Sequence, residues 1–144
     1  MASLKYRRMI ARGLNRRQAG LLGGRYFRGI GNRATLTTAL AGANNDVTLI
    51  ARTPGVGGNS ITFTIAVPAG AGVSESVGVV GSAITYNTST AGAGVSNATA
   101  NQMVKALLAS PAASALVWSQ VAVPGNDGTG VVVAMASTPL TGAA

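Results

Sequence analysis

The first 33 residues carry nine basic side chains and no acidic one: Lys5, Arg7, Arg8, Arg12, Arg16, Arg17, Arg25, Arg28 and Arg33. A block of one sign repels itself and has no way to build an apolar core, so it reads as an arm that settles onto something negative. From Ala34 onward the charges are Arg52 and Lys105 against Asp46, Glu75 and Asp127. The formal +8 therefore divides into +9 before Ala34 and −1 after it. Two parts follow: a basic N-terminal arm at residues 1–33, and a single β-rich domain at 34–144 of about the usual domain size.

Composition narrows the chemistry of the second part. Hydrophobic residues make up 47% of the chain, much of it Ala and Val, and aromatics only 4%, which predicts a thin, sheet-like core. Cys and His are both absent, removing thiolate and imidazole ligands and the commonest nucleophile and general base. The three carboxylates are spread one per region and form no pair in sequence. The chain is expected not to be an enzyme and to need no cofactor or metal. No apolar run reaches the roughly 20 residues of a membrane span, and Met9, Ile10, Leu14, Leu21 and Leu22 are too interrupted by Arg and Gly for a signal-peptide core. An Arg-rich, acid-free start is also the composition of an organellar transit peptide. The few charges after Ala34, far below the roughly 25% of a soluble domain, favour burial within an assembly over life as a free monomer.

Within the arm, Tyr6, Met9, Ile10, Leu14 and Leu21 recur at helical spacing beside a stripe of Lys5, Arg8, Arg12 and Arg16. This is an amphipathic, cationic helical pattern. Gly13 and Gly20 weaken it by about 1 kcal/mol each relative to Ala, so the helix is expected to form on contact with a partner. The glycine-rich stretch after Leu22 is expected to be extended, and its Arg25, Tyr26, Phe27 and Arg28 have the composition of contact surfaces.

Beyond Thr35, Val47, Leu49 and Ala51 alternate with Thr48, Ile50 and Arg52, and Ile61, Phe63, Ile65 and Val67 alternate with Thr62, Thr64 and Ala66. Both runs predict half-buried strands. Gly81-Ser82 between 75–80 and 83–88 predicts a two-residue hairpin of type II′. Residues 90–95 read as a connector. Thr99-x-x-Gln102 before Met103, Val104, Leu107 and Leu108 predicts a capped helix over about 97–110, closed by Pro111. One short further turn at 112–115, a strand at 116–123 with Trp118 in the core, a turn at 124–130 and a last strand at 131–136 complete the reading. The fold class is α+β, mainly β: an antiparallel or mixed sheet with one packed helix and a basic, extended or partly helical N-terminal arm.

Two glycine-rich motifs admit sharper readings. Gly55-Val-Gly-Gly58 opens no helix and has no following Lys, so it is read as a hairpin loop and not a phosphate loop. Gly125-Asn-Asp-Gly-Thr-Gly130 has one carboxylate, too few for calcium, and is read as a turn. The arm itself admits nucleic acid, a membrane surface or an acidic protein surface as partner, as well as a merely solvated tail, and charge alone does not choose among them.

The segment Ala43 to Thr62, the helix Thr99 to Ser110 with Ala112 to Val117, and Gly125 to Ala136 followed by Leu140-Thr-Gly resemble strings common in structural proteins of tailed bacteriophages. The resemblance covers about the last 100 residues and leaves out the basic segment. It implies a virion structural protein, foremost a capsid decoration or cement module on the phage head, assembled in the host cytoplasm. The implied partners are the major capsid protein lattice and copies of the chain itself, with no membrane. The partner-binding residues would then be Lys5, Arg7, Arg8, Arg12, Arg16, Arg17, Arg25, Tyr26, Phe27, Arg28 and Arg33. A tail tube, sheath or tail-completion component is the alternative within the virion, and a nucleic-acid-binding protein the alternative outside it.

Overall fold

A computed structural model describes residues 31–144, and the expected basic arm at 1–33 lies outside the described residues except for its last three positions. The fold is α+β and mainly β. In chain order the strands are β1 (Thr35–Thr37), β2 (Val47–Ala51), β3 (Thr62–Ala66), β4 (Ser76–Val80), β5 (Ala83–Asn87), β6 (Thr90–Gly92), β7 (Val95–Ser96), β8 (Val117–Val121) and β9 (Met135–Pro139). A 3-10 helix spans Val56–Ser60, and two α-helices, α1 (Ala100–Ala109) and α2 (Pro111–Leu116), lie between β7 and β8.

The strands form an antiparallel sheet β1-β2-β8, a mixed sheet β4-β5-β3-β9 and the small hairpin β6-β7. Period-two patterning decides which side of each goes inward. Val47, Leu49 and Ala51 of β2 are buried while Thr48 and Ile50 are not, and Phe63 and Ile65 of β3 are buried while Thr62, Thr64 and Ala66 are not. Both sheets feed one core, in which Leu49, Val117, Phe63, Ile65, Ile84 and Tyr86 meet Met103 and Leu107 of α1 and Ala113 of α2.

Several local signals act as their chemistry requires. Val80 pairs with Ala83 across Gly81-Ser82. Gly81 has φ +60° and Ser82 is not among the positive-φ residues, the sign pattern of type II′. Thr99 caps α1 reciprocally: its hydroxyl accepts from Gln102 N, and the Gln102 side chain accepts from Thr99 N. Such a cap contributes about 0.5–2 kcal/mol. Pro111 cannot continue α1, and it opens α2 at a position where its missing N–H costs nothing.

Other expectations are corrected. Residues 53–60 do not form a hairpin loop, because β2 and β3 belong to different sheets. The chain crosses between them through the 3-10 helix, and Gly58 is buried there, where an added Cβ would lie 2.9 Å from the Ala34 Cβ and 3.0 Å from that of Ala51. The connector at 90–95 holds the β6-β7 hairpin. The last strand begins at Met135, not Val131. Val131 bridges Thr99, and Val132 donates its N–H to Ala98 O at 2.9 Å. The valine run thus packs beside the start of α1, while the unpromising Ala136-Ser137-Thr138-Pro139 joins the ladder, since β propensity measures packing surface more than ladder membership. Beyond β9, Leu140 N bonds Ile61 O, and Thr141 exchanges two backbone hydrogen bonds with Thr35, of 2.8 and 3.0 Å. The chain end thereby stitches the two sheets together.

Candidate functional site

On the three-stranded sheet the inward residues of β8 are Val117 and Ser119, so Trp118 points outward by alternation. It stands opposite Ile50 of β2 and is 40% exposed, which corrects the expectation of a core tryptophan. The segment Val-Trp-Ser-Gln-Val offers an apolar residue at either parity, and the sheet register, invisible locally, chooses the valines.

Two cations converge on this ring. Arg52 follows β2, with its N–H bonded to Leu116 O at 2.8 Å, and the bond from Ala51 N to Ala34 O sets Arg33, just ahead of β1, beside it. The Cζ atoms of Arg33 and Arg52 lie 4.8 and 4.7 Å from the Trp118 ring centroid. Arg33 also donates from Nη1 to Ala51 O at 3.0 Å. Each guanidinium gains about 0.5–1 kcal/mol from the ring's quadrupole at an exposed site, which offsets the repulsion of placing two positive charges together. The rest of this face is polar, with Thr37 and Thr48 hydroxyls 3.0 Å apart and Gln120 exposed beyond them.

The body's carboxylates are engaged elsewhere, by neutral donors. Asp46 accepts from Leu40 N at 2.7 Å and from the Thr38 hydroxyl at 3.1 Å. Glu75 accepts from the Tyr86 hydroxyl at 2.7 Å; burial foremost, then this hydrogen bond and the carboxylate charge, raise the phenol well above its usual range. Asp127 accepts from both the hydroxyl and the N–H of Thr129, which hold it below the usual carboxylate range. Its loop is the expected turn: Asn126 Oδ1 accepts from Gly128 N, and Asn126 Nδ2 donates to Asp46 O. Among the described residues no group of three or more His, Cys, Asp or Glu is placed to hold a metal, and no helix is long and apolar enough to cross a membrane.

Of the residues the sequence singles out for partner binding, Arg33 is the one the structure describes, folded onto the sheet beside Arg52 and Trp118. Lys5, Arg7, Arg8, Arg12, Arg16, Arg17, Arg25, Tyr26, Phe27 and Arg28 lie outside the described residues. Arg52 and Trp118 were missed in the sequence, the first as an isolated charge and the second as core. A separate apolar groove of about 350 Å³ runs between the β7 end, at Val95 and Ser96, and the valines 131–133. Compared with protein-family models, curated proteins and solved structures, the chain matches none of them.

Proposed function

We propose that this is a non-enzymatic structural protein that attaches to an acidic protein surface through its basic segment, and that in the virion setting implied by the sequence resemblance it is a decoration or cement protein on a phage head. The observation that carries the reading is the segregation of charge. Nine cations precede Ala34, and the last of them, Arg33, joins Arg52 on an exposed tryptophan, while among the described residues Asp46, Glu75 and Asp127 accept from neutral donors. Eleven cations against three carboxylates in the whole chain leave most of the positive charge for something outside it.

The chemistry of attachment is many weak contacts. An exposed ion pair contributes about 0–1 kcal/mol, so a clamp across neighbouring capsid subunits depends on the number of arginines engaged and on repetition over a lattice of copies. Tyr26 and Phe27 would fill grooves between the ion pairs. The guanidiniums over Trp118 add forked donors that a carboxylate can meet with two hydrogen bonds.

The test is co-sedimentation of the full-length protein and of a variant lacking residues 1–33 with expanded empty heads. Full-length protein is expected to pellet with heads and the truncated protein to stay in the supernatant while retaining its β spectrum. Equal occupancy by both proteins overturns the clamp. Rings or tubes formed without heads would favour the tail component instead. Retention on DNA that falls steeply with salt, without retention on heads, would favour nucleic-acid binding.

A further inference from the structure

We infer that β4 is an interface between two copies of this chain, the two β4 strands pairing antiparallel about a two-fold axis to join two four-stranded sheets into one. β4 ends the order β4-β5-β3-β9, and its ladder to β5 is unbroken over five pairs, from Ser76↔Asn87 to Val80↔Ala83. In a two-residue hairpin the pair next to the turn is hydrogen-bonded, and bonded pairs alternate from there. Val80, Gly78 and Ser76 therefore spend their backbone groups on β5, and the N–H and C=O of Val77 and Val79 point away from it. Among the described residues, none of the backbone–backbone hydrogen bonds outside the ladders involves 76–80.

Proteins blunt such edges with charge, proline or bulges. β1 is closed by Thr141 through two backbone hydrogen bonds, and β9 contains Pro139 and a shifted register. The sequence Ser-Val-Gly-Val-Val of β4 has none of these devices, and Val80 is 83% exposed. α1 and α2 run beside β4, yet among the described residues no strand pairs with its outer side; a regular, uncharged ladder edge of this kind matches another strand, and its own symmetry selects a second copy. A two-fold axis at Gly78 sets glycine on glycine and Val80 against Ser76 of the other chain, so no bulk and no like charges meet, as an isologous contact requires. Beyond the position of Gly78 the space is open, with no atom within 4 Å of an added Cβ. This inference rests on the body's geometry and stands apart from the capsid reading.

Sedimentation velocity of the full-length chain over a range of concentrations tests it, with Gly78→Lys, Gly78→Glu and Val80→Lys. The wild type is expected to dimerise and each variant to raise the dimer Kd at least about tenfold with an unchanged circular-dichroism spectrum. Gly78→Glu lowers the chain's positive charge, so its dissociation would come from like charges meeting at the axis and not from net repulsion. If a Gly78 variant fails to fold, Val80→Lys, at the exposed hairpin end, decides. A wild type that stays monomeric, or an oligomer whose Kd is the same in all folded variants, overturns the inference.

Discussion

The three-stranded and four-stranded sheets bury similar side chains on their inner faces and differ in what they turn outward. The first shows Trp118 flanked by Arg33 and Arg52, with Thr37, Thr48 and Gln120 beyond. The second shows Ser76, Gly78 and Val80 along its last strand. One sheet thus gathers charge around an exposed aromatic ring, and the other ends in an uncharged strand. The same core can support both because the hydrophobic effect constrains only every second residue of a strand, leaving the alternate ones to function.

The largest expected effect tests whether the inner faces are one core. Phe63→Ala on β3 is expected to lose about 3–5 kcal/mol and Leu49→Ala on β2 about 2–5 kcal/mol, each by a shift of the whole urea transition under every spectroscopic probe. If Leu49→Ala splits the curve into two transitions, the sheets fold separately and the shared cluster is only contact. Gly58→Ala comes next, at about 1–3 kcal/mol of overpacking, because the Ala34 and Ala51 methyls at the crossing between the sheets leave no room for a Cβ. An unchanged urea midpoint would mean that the 3-10 helix yields freely.

What the sequence disclosed, and what it hid, follows range of interaction. Thr99 and Gln102 are three residues apart, Gly81-Ser82 lies between its own two strands, and β3 alternates within five residues, so each could be recognised in isolation. Sheet membership could not. The parallel pairing of β3 with β5 and the separation of β2 from β3 depend on partners far along the chain, and a glycine-rich crossing looks like a hairpin loop. The candidate site was half legible for the same reason. Arg33 stands out as a cation, but its bond to Ala51 O spans 18 residues, and the outward side of Trp118 is set by pairing with Ile50.

The outer faces are sharpened by Trp118→Ala. Removing the ring costs two cation–π contacts, about 1–2 kcal/mol of stability together, and frees Arg33 and Arg52 to wander. Under the proposed function, retention on expanded heads is then expected to weaken through lost preorganisation, read as faster release with a similar rate of capture. If retention is unchanged while stability falls, the cluster is a latch for the start of the body and only the residues before Arg33 engage the partner.

The smallest effects separate the two sheets by pH. On the four-stranded side, Tyr86 has its pKa raised above the ordinary 10.0, so the folded chain holds that proton more tightly than the unfolded one. The stabilisation is complete below about pH 10 and is lost as pH rises beyond it. Tyr86→Phe should flatten that alkaline part of the stability curve. Asp127, in the turn that Asn126 ties to Asp46 next to β2, has its pKa lowered from 3.8. Its contribution is present above the unfolded value and disappears as pH falls through the folded one, so Asp127→Asn should flatten stability only below about pH 4. The carboxylate is exposed, which makes this the weakest of the expected changes and confines it to acid. Urea midpoints of both variants across pH check the division. An alkaline effect from Asp127→Asn would mean that the two sides are electrostatically coupled through the core and do not respond independently.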